Sequence, residues 1–280
     1  MSILKNSIRA VLNPMGFEVV NYRAHKQNEQ KQIADTEQRL ALLATVDKLV
    51  HMISHSTFPH SEQLNEFEFL RFSLDNLIKS KSQLFQDLFV LYYFRNKKNG
   101  FFIEFGATDG VTLSNTFLLE KEFGWKGILC EPGKIWKSAL LKNRQATIDN
   151  RCVWSKSGEQ FNFNEAPIAE LSTIETFNDS DFHSEARKSG LVYTVETVSL
   201  NDLLAQHNAP SDIDYLSIDT EGSEFEILQA FDFIKYNIRI ITVEHNFSPK
   251  RAEIYDLLIG KGYKRVFDSI SSFDDWYVKA

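Results

Sequence analysis

The stretch Phe101-Phe102-Ile103-Glu104-Phe105-Gly106-Ala107-Thr108-Asp109-Gly110 decides the fold of this chain. Its first five residues are aromatic or β-branched apart from Glu104, which predicts a buried β-strand. A glycine-containing turn follows at once, and residues 115–123 then show helical spacing. A strand, a glycine turn and a helix form the first unit of a nucleotide-binding α/β sheet.

The glycine turn favours a ligand without phosphate groups. It has the form Gly106-x-x-x-Gly110, so it lacks the GxGxxG triad that cradles a pyrophosphate. Glu104 and Asp109 add negative charge, which suits a ligand with a cationic end. Glu131 ends the next predicted strand, about 20 residues further on, where a carboxylate can accept hydrogen bonds from both ribose hydroxyls. The pattern suggests a nucleoside such as S-adenosylmethionine; the alternative is a plain α/β domain with chance acidic strand ends.

The composition fits one large domain, or a domain with an extension. The chain has 280 residues, 43% of them hydrophobic, and a formal net charge of −7. A general nucleic-acid binder would be basic, so that class is disfavoured. Cys130 and Cys152 both fall in predicted strands, as expected of buried thiols in a reducing compartment. We find no apolar run of transmembrane length and no signal peptide, and therefore expect a cytoplasmic protein.

The first 80 residues are predicted to form a helical N-terminal extension. Residues 1–25 contain a short basic amphipathic helix, which could touch an anionic membrane surface or pack on the protein itself. The amphipathic stripe from Ile33 to Ile53 could pair with itself, so we expect a homo-oligomer, most simply a dimer. His51 and His55 lie one helical turn apart, but no acidic residue accompanies them, which favours solvated histidines over a metal site.

Residues 81–280 alternate predicted strands and helices, as expected of a mostly parallel sheet. A third strand is predicted over residues 146–154, where Asn150 holds a position that commonly faces an adenine in such folds. The long polar stretch from Ala166 to Gly190 is the candidate lid over a small-molecule or glycan substrate. Its polar candidates are Ser172, Thr173 and His183. Gln86, with Asp87 beside it, faces either the ligand or the solvent.

Acidic side chains follow four predicted strands at one edge of the sheet. They are Glu104, Glu131, Asp219 with Glu221, and Glu244 with His245 and Asn246. In an open α/β sheet the ligand lies outside the carboxyl ends of the strands. Several carboxylates at one edge would repel each other unless a cation or a proton relay used them. This convergence is the strongest argument from the residues for an enzyme.

From about Ser82 to Ala280 the sequence resembles the FkbM family of S-adenosylmethionine-dependent methyltransferases. The matching segments are residues 85–110, Glu131-Pro132, Ile218-Asp219-Thr220-Glu221-Gly222 and Val243-Glu244, of which the third is the most specific. The resemblance implies a class I methyltransferase with a Rossmann-like fold. Its sheet would have seven strands, mostly parallel, with an antiparallel last strand. The activity implied is O-methylation of hydroxyls, often on sugars, glycolipids or polyketide-type metabolites.

The resemblance also implies roles for individual residues. It implies cofactor contacts at Glu104, Gly106, Asp109, Gly110 and Glu131, to which the strand-end argument adds Asn150. It implies that Asp219 and Glu221 lie beside the transferred methyl group. The first 80 residues lie outside the matching core, so the resemblance implies nothing about them.

Two ways of activating the acceptor hydroxyl stay open. Catechol-type O-methyltransferases, which share the fold class, hold a divalent cation with a carboxylate after strand four and an acid–amide pair after strand five. Asp219 and Glu244, with His245 or Asn246, occupy similar places and could hold Mg²⁺ or Ca²⁺. In the metal-free alternative, His245 is the general base and the carboxylates orient the sulfonium or the sugar hydroxyls.

Two classes of function therefore compete. One is an S-adenosylmethionine-dependent O-methyltransferase acting on a sugar, glycan, glycolipid or related metabolite. The other is a non-catalytic scaffold that uses its N-terminal helices for interaction. The intact acidic edge favours the enzyme, because an inactive site has no reason to keep such repulsion. A nicotinamide dehydrogenase is disfavoured, since the phosphate-binding GxGxxG is absent.

Overall fold

The computed structural model describes residues 66–166, 172–174 and 190–280, which all belong to one compact unit, Ser61–Ala280. The predicted basic helix, the Ile33–Ile53 stripe and the histidine pair lie outside the described residues, and so does His183. The expected membrane contact and homo-oligomer therefore stay predictions. Among the described helices, none combines the length and the apolar character needed to cross a membrane.

The described elements alternate as the sequence predicts. The helices are α1 Glu66–Asn76, α2 Gln86–Tyr93, α3 Phe117–Phe123, α4 Lys137–Asn143, α5 Leu200–Gln206, α6 Glu224–Gln229 and α7 Lys250–Gly260. The strands are β1 Phe101–Phe105, β2 Lys126–Cys130, β3 Thr147–Asp149, β4 Cys152–Trp154, β5 Gln160–Glu165, β6 Thr173–Ile174, β7 Leu191–Ser199, β8 Asp212–Ile218, β9 Asn237–Glu244, β10 Tyr263–Val266 and β11 Asp274–Lys279.

The main sheet has seven strands in the order β10-β11-β9-β8-β1-β2-β3. Strand β1 pairs in parallel with β2 on one side and with β8 on the other, and β11 runs antiparallel to both of its neighbours. The predicted seven-stranded, mostly parallel sheet with an antiparallel last strand is confirmed, and with it a Rossmann-like architecture. The order of strands reverses between β1 and β8, where open α/β sheets bind their ligands.

Both faces of the main sheet are covered by helices, which explains the continuous apolar runs of its strands. In β1, Phe102 joins a core with helices α1 to α4, whereas Ile103 and Phe105 point into a core with helices α5 to α7. Glu104 therefore shares the face of Phe102. This alternation, which follows from the pleat of a strand, fixes the direction in which each strand-end side chain points.

Helix α1 packs within the compact unit, although it lies in the predicted 1–80 extension. Phe69 is buried, and its ring stacks on Phe267 with 5.2 Å between the ring centroids. It also meets Trp276 edge to face at 5.8 Å. Buried aromatic rings contribute large apolar areas, so α1 stabilises the α/β core. The separate functions assigned to residues 1–80 and 81–280 stay a prediction.

A second, smaller sheet stands beside the main one, in the order β4-β7-β5-β6. The strand predicted over residues 146–154 is broken at residues 150 and 151, so that β3 joins the main sheet and β4 joins the second. Arg151 folds back on Asp149 at the break, with two hydrogen bonds of 3.0 and 2.6 Å between guanidinium and carboxylate. A local ion pair therefore lies at the break between two strands that the hydrophobic pattern predicts to be one.

Candidate active site

A cavity of about 640 Å³ opens at the carboxyl ends of β1, β2, β8 and β9, at the reversal of strand order. Volumes of this size hold small-molecule ligands and cofactors. Eight of the residues predicted for the site line it, namely Glu104, Gly106, Glu131, Ser172, Asp219, Glu221, Glu244 and Asn246. The second sheet closes one side with Cys152, Val153, Phe163 and Ile174. The cavity thus joins an acidic edge to an apolar wall.

Glu131 holds the turn that follows β1. Its buried carboxylate accepts a hydrogen bond from the amide of Thr108 at 2.8 Å and another from the amide of Gly133 at 2.7 Å. An ionised carboxylate has about four acceptor positions, so two remain for a ligand. Burial raises the pKa of Glu131 to about 7. Two free acceptor positions on one carboxylate match the two hydroxyls of a ribose.

Gly106 lets the backbones of β1 and β8 approach closely where the strands end. Its φ is +74°, and a Cβ at this position would overlap the carbonyl oxygen of Asp219. Any side chain here would be strained and would also separate the two strand ends. Gly106 therefore keeps the floor of the cavity open between the ends of β1 and β8.

Glu104 lines the cavity, but its hydrogen bonds are made within the protein. Its carboxylate oxygens accept from the Asn115 amide at 2.6 Å, the Thr116 hydroxyl at 2.5 Å and the Ser114 hydroxyl at 3.1 and 3.2 Å. The guanidinium of Arg144, which is fully buried, lies 3.5 Å from the same carboxylate. Glu104 thus fixes the segment that leads into α3, rather than offering a free carboxylate to a ligand.

Asp219, Glu221 and Glu244 form an acidic trio at the other end of the cavity. Each offers a carboxylate oxygen within 4.8 Å of the other two. Asp219 directly follows β8 and Glu244 ends the neighbouring strand β9, which brings their carboxyls together. Burial raises the pKa of Asp219 to about 7. Burial, followed by the charges of Asp219 and Glu221, raises the pKa of Glu244 well above its ordinary value. Such a pair suits a proton or a cation between its carboxylates.

The loop after β8 holds Glu221 in an unusual backbone conformation. Glu221 has a φ of +58°, in the left-handed region that costs a non-glycine residue about 1–2 kcal/mol. Glu224 secures the loop, because its Oε1 accepts from the amides of Thr220 and Gly222, both at 3.0 Å. Strained backbone that its surroundings enforce is typical of functional sites. The strain turns Glu221 towards Asp219 and Glu244.

His245 does not belong to the cavity, which corrects its predicted catalytic and metal-binding roles. Successive side chains of a strand point to opposite faces, so His245 faces away from the side that Glu244 occupies. Its Nδ1 accepts from the Phe247 amide at 3.0 Å, and its Nε2 lies 3.8 Å from Asp275. Arg251 binds the same Asp275 carboxylate through two hydrogen bonds. His245 thus packs beside the Asp275–Arg251 ion pair on the other face of the sheet, and its Nε2 makes no hydrogen bond with the described residues.

Three residues predicted to contact the cofactor support the cavity from behind. Asp109 accepts from the amides of Val111 and Thr112 at 2.8 and 2.7 Å, so it shapes its own turn. Gly110 has a φ of +78°, and a Cβ there would come within 2.6 Å of the Arg144 side chain. The side-chain Nδ2 of Asn150 donates to the backbone carbonyl of Glu131 at 3.2 Å. These roles are structural rather than direct contacts.

The remaining candidate site residues also differ in whether they line the cavity. Gln86 donates to the Asp274 carboxylate at 2.7 Å, and Asp87 accepts from Ser80 at 2.7 Å, so neither lines the cavity. Ser172 of the predicted lid does line it, and its hydroxyl accepts from the Ala166 amide at 3.0 Å. The side chain of Thr173 lies outside the described part of the chain.

Several residues of the cavity were not predicted from the sequence. They are Gln83, Asn115, Phe163, Ile174 and Phe273. None follows one of the parallel strands used to locate the site, so no local pattern marks them. Of these five residues, Gln83 could have been found from the family resemblance, because it lies in the segment where that resemblance begins. The others reach the cavity through long-range packing, which a single sequence does not display.

The raised carboxyl pKa values predict an unusual pH dependence of stability. Burial raises the pKa of Glu131, Asp219 and Asp274 to about 7. A carboxyl with a higher pKa in the folded state contributes stability that is complete below about pH 4 and lost as pH rises through about 7. We expect the midpoint temperature of the cofactor-free protein to fall between pH 5.5 and 8, by on the order of 5–10 °C.

Thermal scans at several pH values check this expectation. Glu131→Gln and Asp219→Asn each remove one titrating carboxyl and should flatten the curve. Burial lowers the pKa of His245, so its contribution has the opposite sign and is lost as pH falls below about 6.5. The combined effect of the three carboxyls on the midpoint temperature should exceed that of this one imidazole. A midpoint that rises from pH 5.5 to 8 in the cofactor-free protein would contradict the prediction.

Comparison with known proteins gives the family. No curated protein matches the chain in sequence. Among solved structures, the chain is similar to the crystal structure of precorrin-6y C5,15-methyltransferase from Geobacter metallireducens GS-15, with 12% identity and a TM-score of 0.35. That likeness covers 69% of this chain and 86% of that chain. Residues 104–275 match the model of the methyltransferase FkbM domain. Since this match spans more than half of the chain, the protein belongs to the FkbM methyltransferase family.

Proposed function

We propose that this methyltransferase uses S-adenosylmethionine to methylate a hydroxyl of a sugar, glycan, glycolipid or related metabolite. One observation carries the proposal. A single cavity joins the carboxylate of Glu131, with two acceptor positions left for a ribose, to the trio of Asp219, Glu221 and Glu244. Gly106 lies between these two ends, where a ligand can approach the backbone closely.

The order of the strands supports a direction for the cofactor. Glu131 directly follows β2 and lines the cavity. Apolar side chains of the second sheet, such as Phe163 and Ile174, line the same cavity. An adenine stacks well on such apolar walls. The ribose would hydrogen-bond to Glu131, and the sulfonium would extend past β1 towards Asp219. A positive sulfonium near carboxylates is favoured electrostatically, which agrees with the absence of a phosphate cradle.

The acidic trio supports the chemistry of the acceptor. An alcohol is a poor nucleophile because it holds its proton tightly, so its oxygen must lose that proton as the carbon–oxygen bond forms. A carboxyl with a pKa near 7 is well matched to accept a proton at neutral pH. Asp219, whose carboxylate lies beside that of Glu244, is our candidate for this base. A polyhydroxylated acceptor also offers several donors to the three carboxylates.

The same residues fit a divalent cation. Mg²⁺ and Ca²⁺ prefer carboxylate and amide oxygens, and the trio presents three carboxylates within 4.8 Å of one another. Asn246, which also lines the cavity, adds an amide beside them. A bound cation would polarise the acceptor oxygen and lower its pKa. The ligands of the cation would then be Asp219, Glu221 and Glu244. Glu221 would replace His245, which the sequence predicted as the third ligand.

Calorimetry and product analysis test the proposal. We expect the purified protein to bind S-adenosylhomocysteine, and to add a mass of one methyl group to a hydroxylated acceptor from a panel of sugars, glycolipids and small alcohols. NMR of the product then shows whether the methyl group is on oxygen. Methylation of amines alone would refute the hydroxyl acceptor. A lack of nucleoside binding would instead favour the non-catalytic scaffold.

A further inference from the structure

Asn115 lines the cavity and carries an unsatisfied hydrogen-bond acceptor. It is only 8% exposed. The side-chain Nδ2 donates to the Ser217 hydroxyl at 2.9 Å, but Oδ1 is buried without a hydrogen-bond partner among the described residues. Buried polar atoms are almost always paired, so an unpaired one in a cavity wall indicates a ligand that supplies the missing donor.

The position of this side chain is fixed by the strands beneath it. The backbone amide of Asn115 donates to Glu104 at 2.6 Å, and its side chain reaches Ser217. Glu104 and Ser217 are partners in the register of β1 and β8. Asn115 therefore lies above the junction of these two strands. Its Oδ1 is held in place before any ligand arrives.

The strand order identifies the part of the ligand that meets this oxygen. Glu131, the proposed ribose partner, directly follows β2. Strand β2 lies on the opposite side of β1 from β8. Asn115 thus lies beyond the ribose, in the direction of the trio of Asp219, Glu221 and Glu244. In S-adenosylmethionine the group attached at this end of the ribose is the methionine tail. The hydrogen-bond donor in that tail is the α-ammonium.

We infer that Oδ1 of Asn115 accepts a hydrogen bond from the α-ammonium of the cofactor, an inference that rests on the proposed function. Glu104, whose carboxylate contacts the Asn115 backbone, is already occupied by Ser114, Asn115 and Thr116. Asn115 is therefore a specificity residue that recognises the amino-acid tail. A nucleoside without that tail gains nothing from it.

Two ligands that differ only beyond the sulfur test this inference. S-adenosylhomocysteine carries the amino-acid tail, whereas 5′-methylthioadenosine has a methyl group in its place. Calorimetry measures both affinities in the full-length wild type and in Asn115→Leu, which keeps the size of the side chain but removes its polar atoms. Ser217→Ala removes the partner of Nδ2, so it tests whether that bond positions Oδ1. Asn115→Asp is the conservative variant, since it keeps an acceptor in this place.

We expect the wild type to bind S-adenosylhomocysteine at least tenfold more tightly than 5′-methylthioadenosine. Asn115→Leu should reduce that preference at least fivefold, while its affinity for 5′-methylthioadenosine stays within twofold of wild type and so reports an intact fold. Asn115→Asp should keep most of the preference, and Ser217→Ala, which loosens the side chain of Asn115, should give a preference between those of the wild type and Asn115→Leu. The inference is wrong if Asn115→Leu keeps the preference, or if it weakens both ligands equally. A wild type that binds neither nucleoside would refute the proposed function instead.

Discussion

Asp219→Asn and Glu244→Gln should each lower the rate of methyl transfer at least a hundredfold while leaving S-adenosylhomocysteine affinity within about threefold. An amide cannot accept the proton of an alcohol, and it neither repels a neighbouring carboxylate nor attracts a cation as a carboxylate does. The two carboxyl groups belong to the same acidic trio, so either change disrupts the same unit. Single-turnover rates at saturating cofactor, together with calorimetry, separate the loss of chemistry from a loss of binding.

His245→Gln provides the matched control for these two substitutions. His245 follows Glu244 directly in sequence, but its ring faces Asp275 outside the cavity. Its replacement should lower stability and leave the single-turnover rate of the folded protein within about threefold of wild type. A hundredfold loss in His245→Gln, with near-normal rates in both Asp219→Asn and Glu244→Gln, would show that the imidazole is the base after all.

Chelation decides whether a cation takes part. If Asp219, Glu221 and Glu244 hold Mg²⁺ or Ca²⁺ during turnover, EDTA should abolish activity and the added cation should restore it. Activity that survives EDTA but is lost in Asp219→Asn would leave the carboxyl pair as the base without a metal. Normal turnover in both amide variants would refute the acidic trio as the reaction centre.

Glu131→Ala should weaken cofactor binding at least tenfold, the second large effect we expect. A charge-assisted pair of hydrogen bonds is worth about 1.5–3 kcal/mol, which corresponds to roughly 10- to 150-fold in affinity. The variant also leaves the amides of Thr108 and Gly133 without their acceptor, so the turn after β1 loses its support. Calorimetry with S-adenosylhomocysteine measures the loss, and circular dichroism checks the fold.

The pH dependence of the same affinity gives an independent check. The pKa of Glu131 is raised to about 7 by burial, and the ionised form is the better acceptor for ribose hydroxyls. Affinity for S-adenosylhomocysteine should therefore rise as pH increases through about 7, and this rise should be absent in Glu131→Ala. Asn150→Ala is the control, because Asn150 touches the Glu131 carbonyl rather than its carboxylate. Unchanged affinity in Glu131→Ala would remove Glu131 from the cofactor site.

Local patterns were sufficient wherever a residue's role depends on its own strand. The apolar run of β1 predicts a strand buried on both faces, and Glu131 and Asp219 follow from their places after strands. The same reasoning placed His245 with Glu244, because it counted residues at a strand end without assigning their faces. The family resemblance implied a cofactor contact at Asp109, whose carboxylate accepts hydrogen bonds from the amides of Val111 and Thr112. A short polar side chain in a turn bonds first to the nearest amides.

By itself, the sequence determined a parallel α/β sheet with a glycine turn and acidic strand ends, since apolar periodicity and strand-end composition are local properties. Only the tertiary structure decided which of these acids meet. Asp219 and Glu244 converge because β8 and β9 are neighbours in register, and Glu221 joins them through a strained loop. The second sheet and Asn115 reach the cavity through contacts between residues distant in the chain. Such contacts depend on strand order and on the direction of the pleat, which no single segment encodes.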